Sequence, residues 1–197
     1  MADCSESDRH IPTFLLDNLI RRLISPPEKK IRKYVSSGIT VADVGCGPGH
    51  FTISMAEAVG PKGKVYAADS DPKSIEVLKA ESKHKGFQNI IDARTTSAAN
   101  LQFIPDRSVD FAFANGVLCC MTDHVGVVGE IKRILKPNGL AYISVTKVFR
   151  KKDPKAVTIQ EWKRILAGFK VQEMGEGLTN RWATVSLKEK EQGVSHT

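Results

Sequence analysis

The sequence predicts an α/β protein with a doubly wound, mostly parallel seven-stranded sheet that ends in an antiparallel hairpin. Apolar strand-like segments alternate with segments of helical periodicity along most of the chain, the order expected of a parallel sheet with helices on both faces. A glycine-rich turn follows the first strand-like segment, and two such segments follow one another near the end. The predicted strands are 41–44, 64–68, 89–94, 109–114, 140–145, 170–173 and 182–187.

The first predicted strand leads into a turn with three glycines, Gly45, Gly47 and Gly49, and then into a helix. Glycine permits backbone conformations that other residues resist, and it lets a ligand approach the main chain. The start of a helix adds unpaired backbone N–H groups. This corner therefore predicts a binding site for a nucleotide-like cofactor; the alternative is a glycine-rich turn in another kind of α/β protein.

The spacing of the glycines and a nearby carboxylate indicate the kind of cofactor. A dinucleotide fingerprint is G-x-G-x-x-G, whereas this turn has the pattern G-x-G-x-G, with Asp43 two residues before Gly45. A carboxylate disfavours a pyrophosphate, because two anions would meet, and it suits a ligand with an ammonium group. A dinucleotide oxidoreductase, the rival hypothesis, needs its third glycine one residue after Gly49.

The second predicted strand ends at a carboxylate. Apolar residues recur at helical spacing after the turn, until residues 60–63 stop the helix. Asp69 follows strand 64–68, where nucleotide-binding folds accept hydrogen bonds from ribose hydroxyls. The next helix begins near Pro72, with Ser70 or Asp71 as its N-cap. We therefore expect Asp69 to be available for a ribose.

Later segments continue the alternation of helices and strands. Ile75 and Leu78 mark the helix after Pro72, and a helix is predicted over 159–169. An apolar stripe over 15–24 predicts an N-terminal helix, and a capping box that opens the next helix begins at Ser25. Another helix, between strands four and five, is expected to stop at 136–139. One face of that helix is predicted to carry Val127, Val128, Ile131, Ile134 and Leu135.

Three stretches resemble one enzyme family. The pattern Asp-x-Gly-x-Gly-x-Gly at 43–49 resembles the first motif of the class I S-adenosylmethionine-dependent methyltransferases. Residues 101–110 are similar to the sequence L-P-F-P-D-x-S-F-D of the "type 11" members, which include ubiquinone/menaquinone-biosynthesis C-methyltransferases. Residues 130–139 are similar to their sequence E-x-x-R-V-L-K-P-G-G. The resemblance covers roughly 27–188.

The resemblance implies a Rossmann-like fold and S-adenosyl-L-methionine as cofactor, but it says almost nothing about the substrate; the leading hypothesis is a small-molecule methyl acceptor. The resemblance implies that Gly45 and Gly47 line the amino-acid end of the cofactor, and that Asp43 supports the loop or reaches the ammonium group through water. It also implies that Asp69 binds the ribose and that Asn115 faces the methyl group. The cofactor-binding residues implied in this way are Asp43, Gly45, Cys46, Gly47, Asp69, Ser70, Ser97, Ala98 and Asn115.

The adenine end departs from the family pattern. An Asp of the family usually receives the adenine amino group, and Ser97 occupies that position here. A serine hydroxyl accepts a hydrogen bond without charge assistance, so we expect a weaker contact. The backbone N–H of Ala98 can meet the adenine ring nitrogen.

No catalytic side chain is assigned from the sequence. Methyl transfer from a sulfonium depends mainly on alignment, and a base is needed only if the acceptor must lose a proton. His10 and His124 are candidates for such a base, but ordinary loop histidines are the favoured interpretation. Cys119 and Cys120, after the fourth strand, together with Cys46, incompletely resemble the metalloid-holding cysteines of arsenite methyltransferases. Small apolar packing residues are the favoured interpretation.

Length and composition predict a single soluble domain, expected to be cytoplasmic and without a metal. The 197 residues suffice for a sizeable core, and no apolar run approaches the ~20 residues of a membrane span. The start of the chain is not signal-like, and the four cysteines have neither zinc nor disulfide spacing. We expect an N-terminal helical segment at 1–36 that can act as a lid, the S-adenosylmethionine-binding domain at 37–190, and a flexible tail at 191–197.

The net charge of +7 leaves the nature of the acceptor open. A basic cluster at 147–155 could attract RNA or an acidic small molecule, but solvated surface lysine is favoured. The alternatives to a small-molecule methyltransferase are an RNA or protein methyltransferase and an inactive S-adenosylmethionine-binding protein. The oligomeric state is not predicted.

Overall fold

The computed structural model describes residues 27–147 and 157–188. Within these residues helices alternate with strands as the sequence predicts, except that a loop without a helix joins the third strand to the fourth and that the last two strands follow one another. A short 3₁₀ turn, Leu118–Cys120, precedes α4. The helices are α1 (Pro27–Tyr34), α2 (Thr52–Val59), α3 (Pro72–His84), α4 (His124–Ile134) and α5 (Ile159–Ala167).

The described strands form one seven-stranded sheet in the order β3-β2-β1-β4-β5-β7-β6. Neighbouring strands from β3 to β5 are parallel, whereas β7 pairs antiparallel with both β5 and β6. The predicted fold class is therefore confirmed, including the C-terminal antiparallel hairpin. The strands are β1 (Thr40–Val44), β2 (Lys64–Asp69), β3 (Ile91–Thr95), β4 (Val109–Asn115), β5 (Leu135–Thr146), β6 (Lys170–Glu176) and β7 (Asn180–Ser186).

Helices cover both faces of the sheet and create two apolar clusters. Cluster A lies under α4 and α5 and includes Ile131 and Trp162. Cluster B lies under α1, α2 and α3 and includes Met55, with an aromatic row over the sheet that contains Phe111 and Phe113. Because β1 and β4 are covered on both sides, they are almost continuously buried, as central parallel strands are.

Side-chain caps fix where the helices begin. The Asp71 carboxylate accepts hydrogen bonds from the backbone N–H groups of Lys73 and Ser74 at the start of α3. Asp123 and Thr158 cap α4 and α5 in the same way. Of the two predicted caps of α3, Asp71 therefore serves, which leaves Asp69 to another role.

Some sequence-based boundaries are wrong by a few residues. The helix before the fifth strand ends at Ile134 rather than at 136–139, and Leu135 is the first residue of β5. The register shift between Val109 and Phe111 accommodates this early start of β5. The predicted helix at 15–24 and the Ser25 cap lie outside the described residues, so the division at 36 stays a prediction, as does the tail at 191–197.

In the part of the chain that the structure describes, no helix has both the length and the apolar character that a membrane crossing requires.

Candidate functional site

A cavity opens at the carboxyl ends of β1, β2 and β4, the edge of a doubly wound sheet where ligands bind. The turns after these strands supply most of its lining. Ser97 does not line the cavity, but the other predicted cofactor-binding residues do. They are Asp43, Gly45, Cys46, Gly47, Asp69, Ser70, Ala98 and Asn115.

The glycine turn is fastened to the end of β2. The backbone N–H groups of Gly45 and Cys46 both donate to the Ala68 carbonyl, at 2.8 and 3.0 Å. Gly45 has φ +75°, and a Cβ there would lie 2.7 Å from Cγ2 of Val117, in the turn after β4. A larger residue would push these two turns apart, so the first glycine of the motif fixes the width of the cavity.

Asp69 lines the cavity and binds the backbone on both sides of it. Its Oδ2 accepts the Gly47 N–H at 2.8 Å, and its Oδ1 accepts the Asp71 N–H at 2.9 Å. A carboxylate has about four acceptor positions, so each oxygen keeps capacity for a ligand hydroxyl. The geometry therefore fits the predicted contact with a ribose and adds a second role, because Asp69 also positions the glycine turn.

Asp43 is a buried carboxyl group on β1, just before the glycine turn. Its Oδ2 accepts a 2.6 Å hydrogen bond from the Thr52 hydroxyl, and only 3 % of the residue is exposed. Burial raises the pKa of Asp43 to about 7, with the nearby Asp69 charge adding to the rise and the Thr52 hydrogen bond opposing it. A positively charged ligand group would favour the ionised form, which fits the expected ammonium group.

Thr52 was not found by sequence reasoning. It lies in the first turn of α2 and is completely buried. No motif identifies it, and its contact with Asp43 depends on how α2 packs against β1.

A loop over residues 97–106 brings Ala98 to the cavity. The Ser97 hydroxyl accepts the Ala99 N–H at 3.2 Å within this loop, so it serves the loop's own turn. The predicted contact between Ser97 and adenine stays a prediction. Ala98 is buried and lines the cavity.

Residues Glu130 and Arg133 of α4 fasten this loop. Arg133 donates to the carbonyls of Leu101 and Ile104 at 2.8 and 2.9 Å, and Glu130 accepts the Leu101 N–H. Arg133 also donates to Glu130, and this hydrogen bond lowers the pKa of the Glu130 carboxyl group. The similarity seen at 130–139 thus includes a latch that positions a cavity wall; we call it the α4 latch.

The turn after β4 forms the opposite wall. The Asn115 Oδ1 accepts the Ser144 hydroxyl at 2.8 Å, which orients the amide, and the amide group has N–H donors for a ligand. Beyond it, the cavity is lined by uncharged groups, among them Val117, Met121 and Thr146. Ser144 was also missed by sequence reasoning, since it lies on a neighbouring strand.

His124 contacts other residues of the protein instead of lining the cavity. Its Nδ1 lies 3.2 Å from Glu161 and its Nε2 lies 2.8 Å from the Leu118 carbonyl, so both ring nitrogens face acceptors within the protein. His124 is not part of the cavity lining. His10 lies outside the described residues. Across residues 27–147 and 157–188, no group of three or more His, Cys, Asp or Glu side chains is arranged to hold a metal ion.

Fold and site together define a class I methyltransferase domain, and comparison with known proteins agrees. A family model described as "Methyltransferase domain" matches residues 35–190. The chain therefore belongs to the methyltransferase-domain family, which confirms the resemblance seen in the sequence.

Curated relatives include two proteins named demethylmenaquinone methyltransferase. The one from Geobacillus stearothermophilus is 36 % identical over 109 residues, which are 55 % of this chain and 46 % of that protein. The one from Anoxybacillus flavithermus is 35 % identical over 108 residues, which are 55 % of this chain and 45 % of that protein. The aligned part thus spans a little under half the length of these relatives.

Solved structures give the same result over more of the chain. A SAM-dependent methyltransferase from Aquifex aeolicus superposes with a TM-score of 0.77 at 26 % identity, covering 89 % of this chain and 97 % of that one. Geranyl diphosphate C-methyltransferase from Streptomyces coelicolor, at 11 % identity, superposes with a TM-score of 0.73 over 85 % of this chain and 80 % of that one; it supports the fold alone. The cofactor of this class of protein is S-adenosylmethionine, as predicted.

Proposed function

We propose that this protein transfers the methyl group of S-adenosylmethionine to a small-molecule acceptor. The observation that carries the proposal is the division of one cavity into two unlike ends. The ends of β1 and β2 and the turn after β2 supply three carboxyl groups, Asp43, Asp69 and Asp71, and the turn after β4 supplies uncharged side chains, Val117 and Met121 among them.

The two ends have different tasks. Asp69 has acceptor capacity for ribose hydroxyls, and Asp43 provides a negative charge for an ammonium group. When bound, S-adenosylmethionine supplies an activated methyl group, so the protein's task is to hold the acceptor in line with it. The uncharged end suits an apolar acceptor. The name demethylmenaquinone methyltransferase of two relatives is consistent with such an acceptor.

The alternative acceptors have weaker support. RNA or protein methylation was suggested by the basic cluster at 147–155, most of which lies outside the described residues. An inactive binding protein would use the same cofactor end, so only turnover distinguishes it from an enzyme.

The first test is calorimetric titration with S-adenosylhomocysteine, with NAD in parallel. We expect micromolar binding, on the order of −7 to −8 kcal/mol, and at least about tenfold weaker binding by Asp69→Asn, because an amide replaces a charged acceptor of the ribose and of the Gly47 N–H. Asp92→Asn is the matched control, since Asp92 lies on β3 in a surface ion pair with Arg94; its affinity should be unchanged. Binding of NAD alone would overturn the proposal.

The second test identifies the acceptor. The protein is incubated with isotope-labelled S-adenosylmethionine and with separate small-molecule, RNA and protein fractions of a cell extract. Label in the small-molecule fraction supports the proposal. Label in RNA or protein contradicts it, and binding without label in any fraction supports the inactive alternative.

A further inference from the structure

The charges on the cavity wall are mainly negative. Its acidic side chains are Asp43, Asp69 and Asp71, and no lysine or arginine lines it in the part of the chain that the structure describes. The amino-acid part of S-adenosylmethionine carries a carboxylate beside its ammonium group. Asp43 suits the ammonium group, but the carboxylate needs hydrogen-bond donors, because an anion removed from water is costly unless it is paired or hydrogen-bonded.

The glycine turn at 45–49 uses its backbone N–H groups within the protein. Pro48 has no N–H group, and the N–H groups of the other four residues all donate to acceptors of the protein. These residues are Gly45, Cys46, Gly47 and Gly49. A carboxylate bound beside this turn therefore depends on donors outside it.

Asn115 carries side-chain donors on the same face of the sheet as Asp43. Phe113 of β4 is paired with Asp43 of β1, and Asn115 follows Phe113 by two residues. Side chains two residues apart on a strand point to the same face, so the Asn115 amide lies on the side that carries Asp43. Both side chains line the cavity. An amide supplies two N–H donors without a charge.

Ser144 determines how this amide is oriented. It is the partner of Asn115 in the pairing of β4 with β5, and only 3 % of it is exposed. Its hydroxyl donates to the Asn115 Oδ1 at 2.8 Å, and its carbonyl accepts the Gly116 N–H at 3.0 Å. Because the amide oxygen points to Ser144, the amide N–H groups are directed away from it.

Tyr142 supports this direction of the hydrogen bond. Its phenol is hydrogen-bonded to the Ser144 hydroxyl, and desolvation raises the pKa of Tyr142 to about 12, with Tyr34 adding to the rise and the Ser144 hydrogen bond opposing it. The phenol therefore keeps its hydrogen at neutral pH. A hydroxyl group has one hydrogen to donate, so when the phenol donates to Ser144, the Ser144 hydrogen goes to Asn115.

We propose that Asn115 binds the carboxylate of the cofactor's amino-acid part through its amide N–H groups, and that Ser144 is the positioning residue that turns these donors towards the cavity. One face of the sheet then receives both charges of the amino acid, the ammonium group at Asp43 and the carboxylate at Asn115. This inference rests on the proposed function, because it requires S-adenosylmethionine to bind in this cavity.

The test compares two ligands by titration calorimetry on the full chain. One is S-adenosylhomocysteine, and the other is its decarboxylated analogue, which keeps the adenosine, the thioether and the ammonium group. We expect the protein to bind S-adenosylhomocysteine at least about tenfold more tightly than the analogue. Asn115→Leu keeps the branched shape without donors, so it should weaken binding of S-adenosylhomocysteine about tenfold and change the affinity for the analogue less than about twofold.

The outcomes separate this inference from the proposed function. Equal affinity of the unaltered protein for the two ligands, or a difference that persists in Asn115→Leu, overturns the inference and leaves the cofactor assignment intact. Another group, such as the His50 ring or the start of α2, would then meet the carboxylate. Binding of neither ligand by the unaltered protein overturns the proposed function as well.

Variants of Ser144 test the positioning role. Ser144→Ala should weaken binding of S-adenosylhomocysteine at least about threefold and leave the analogue unaffected, whereas Ser144→Thr keeps a hydroxyl group and should keep the affinity. In the Asn115→Leu background, Ser144→Ala should cause no further loss of affinity, because Ser144 acts through Asn115. Additive losses in the double variant would contradict this role.

Thr184→Val is the matched control for the loss of a buried hydroxyl group. Thr184 lies on β7, is 2 % exposed and donates to the Tyr34 hydroxyl, and it does not line the cavity. Its substitution should lower the free energy of unfolding and leave both affinities unchanged. If Thr184→Val weakens binding of S-adenosylhomocysteine as much as Ser144→Ala does, the effect is a general one on the sheet and the positioning role is wrong.

Discussion

We expect ligand binding to be coupled to the protonation of Asp43. Its pKa of about 7 leaves the carboxyl group about half protonated at neutral pH. We expect a bound ammonium group to favour the ionised form, so binding of S-adenosylhomocysteine at pH 7 should release about half a proton. The affinity should then rise up to about tenfold from pH 6 to 8. Titration calorimetry in buffers of different ionisation enthalpy measures both quantities.

The variant Asp43→Asn tests this assignment, because it removes the titrating group. It should bind more weakly, release no proton and lose the pH dependence of affinity. In the ligand-free protein, burial raises the pKa of Asp43 from 3.8 to about 7. Between these two pH values the folded state keeps a proton that the unfolded state has lost. The free energy of unfolding should therefore fall as the pH rises through this range, by up to about 1.4 kcal/mol per unit, and less steeply in Asp43→Asn. Equal slopes in both proteins would contradict the assignment.

At the residue scale, sequence reasoning found the groups that a motif fixes. The spacing from Asp43 to Gly49 determines the turn, and the end of strand two determines Asp69, so both carboxylates were expected at the cavity. The contact in which the Cys119 thiol donates to the Thr146 hydroxyl, at 3.7 Å, could not be predicted, because the two residues are 27 positions apart in the sequence. The packing interpretation is confirmed for Cys119, which packs against cluster A, but the sequence did not predict that Cys119 and Cys120 also line the cavity.

At the element scale, the α4 latch determines where a cavity wall lies. Arg133→Met removes the donors to the carbonyls of Leu101 and Ile104 and leaves the largely buried Glu130 without its cation. We expect a loss of about 2–3 kcal/mol in the free energy of unfolding, measured by urea denaturation. Hydrogen exchange should become faster in the loop at 97–106, and the affinity for S-adenosylhomocysteine should fall because Ala98 lies on that loop.

Arg164→Met is the matched control for the latch. Arg164 forms an ion pair with Glu161 on the exposed side of α5, and such surface pairs contribute about 0–1 kcal/mol. If Arg133→Met leaves the loop exchange at the level of this control, the loop is held by other contacts and the latch has no positioning role.

The existence of the elements was predictable, whereas their ends were less so. Apolar periodicity located most of the described helices and strands, because burial of one helix face or of a whole strand leaves a direct pattern. Helix α1 was expected instead from the capping box at Ser25, and β6 is largely exposed. Leu135 shows the limit: its apolar side chain fits either the last turn of α4 or the first residue of β5. The choice depends on pairing with Val109 of β4, a tertiary contact that local periodicity does not contain.

At the scale of the whole molecule, one sheet separates cluster A from cluster B. The candidate site lies at the carboxyl ends of the central strands, which pack against both clusters. The alternation of strands and helices predicted this arrangement, because parallel neighbours need crossover helices that cover the two faces. The insertion of β7 between β5 and β6 does not follow from strand order along the chain. It still agrees with the predicted hairpin, since β6 and β7 pair with each other.

We expect the two clusters to unfold together, because β1 and β4 contribute to both. Ile131→Ala in cluster A and Met55→Ala in cluster B remove fully buried side chains, so each should lower the free energy of unfolding by about 2–5 kcal/mol. Val125→Ala, at an 83 % exposed position of α4, should change it by less than about 0.5 kcal/mol.

Trp162 belongs to cluster A and Trp182 packs against cluster B, so Trp162→Phe and Trp182→Phe backgrounds each leave a fluorophore on one face. If the clusters form one cooperative unit, the two fluorophores should report the same urea midpoint, and either alanine substitution should shift both midpoints by the same amount. Separate midpoints would mean that the two faces of the sheet unfold independently.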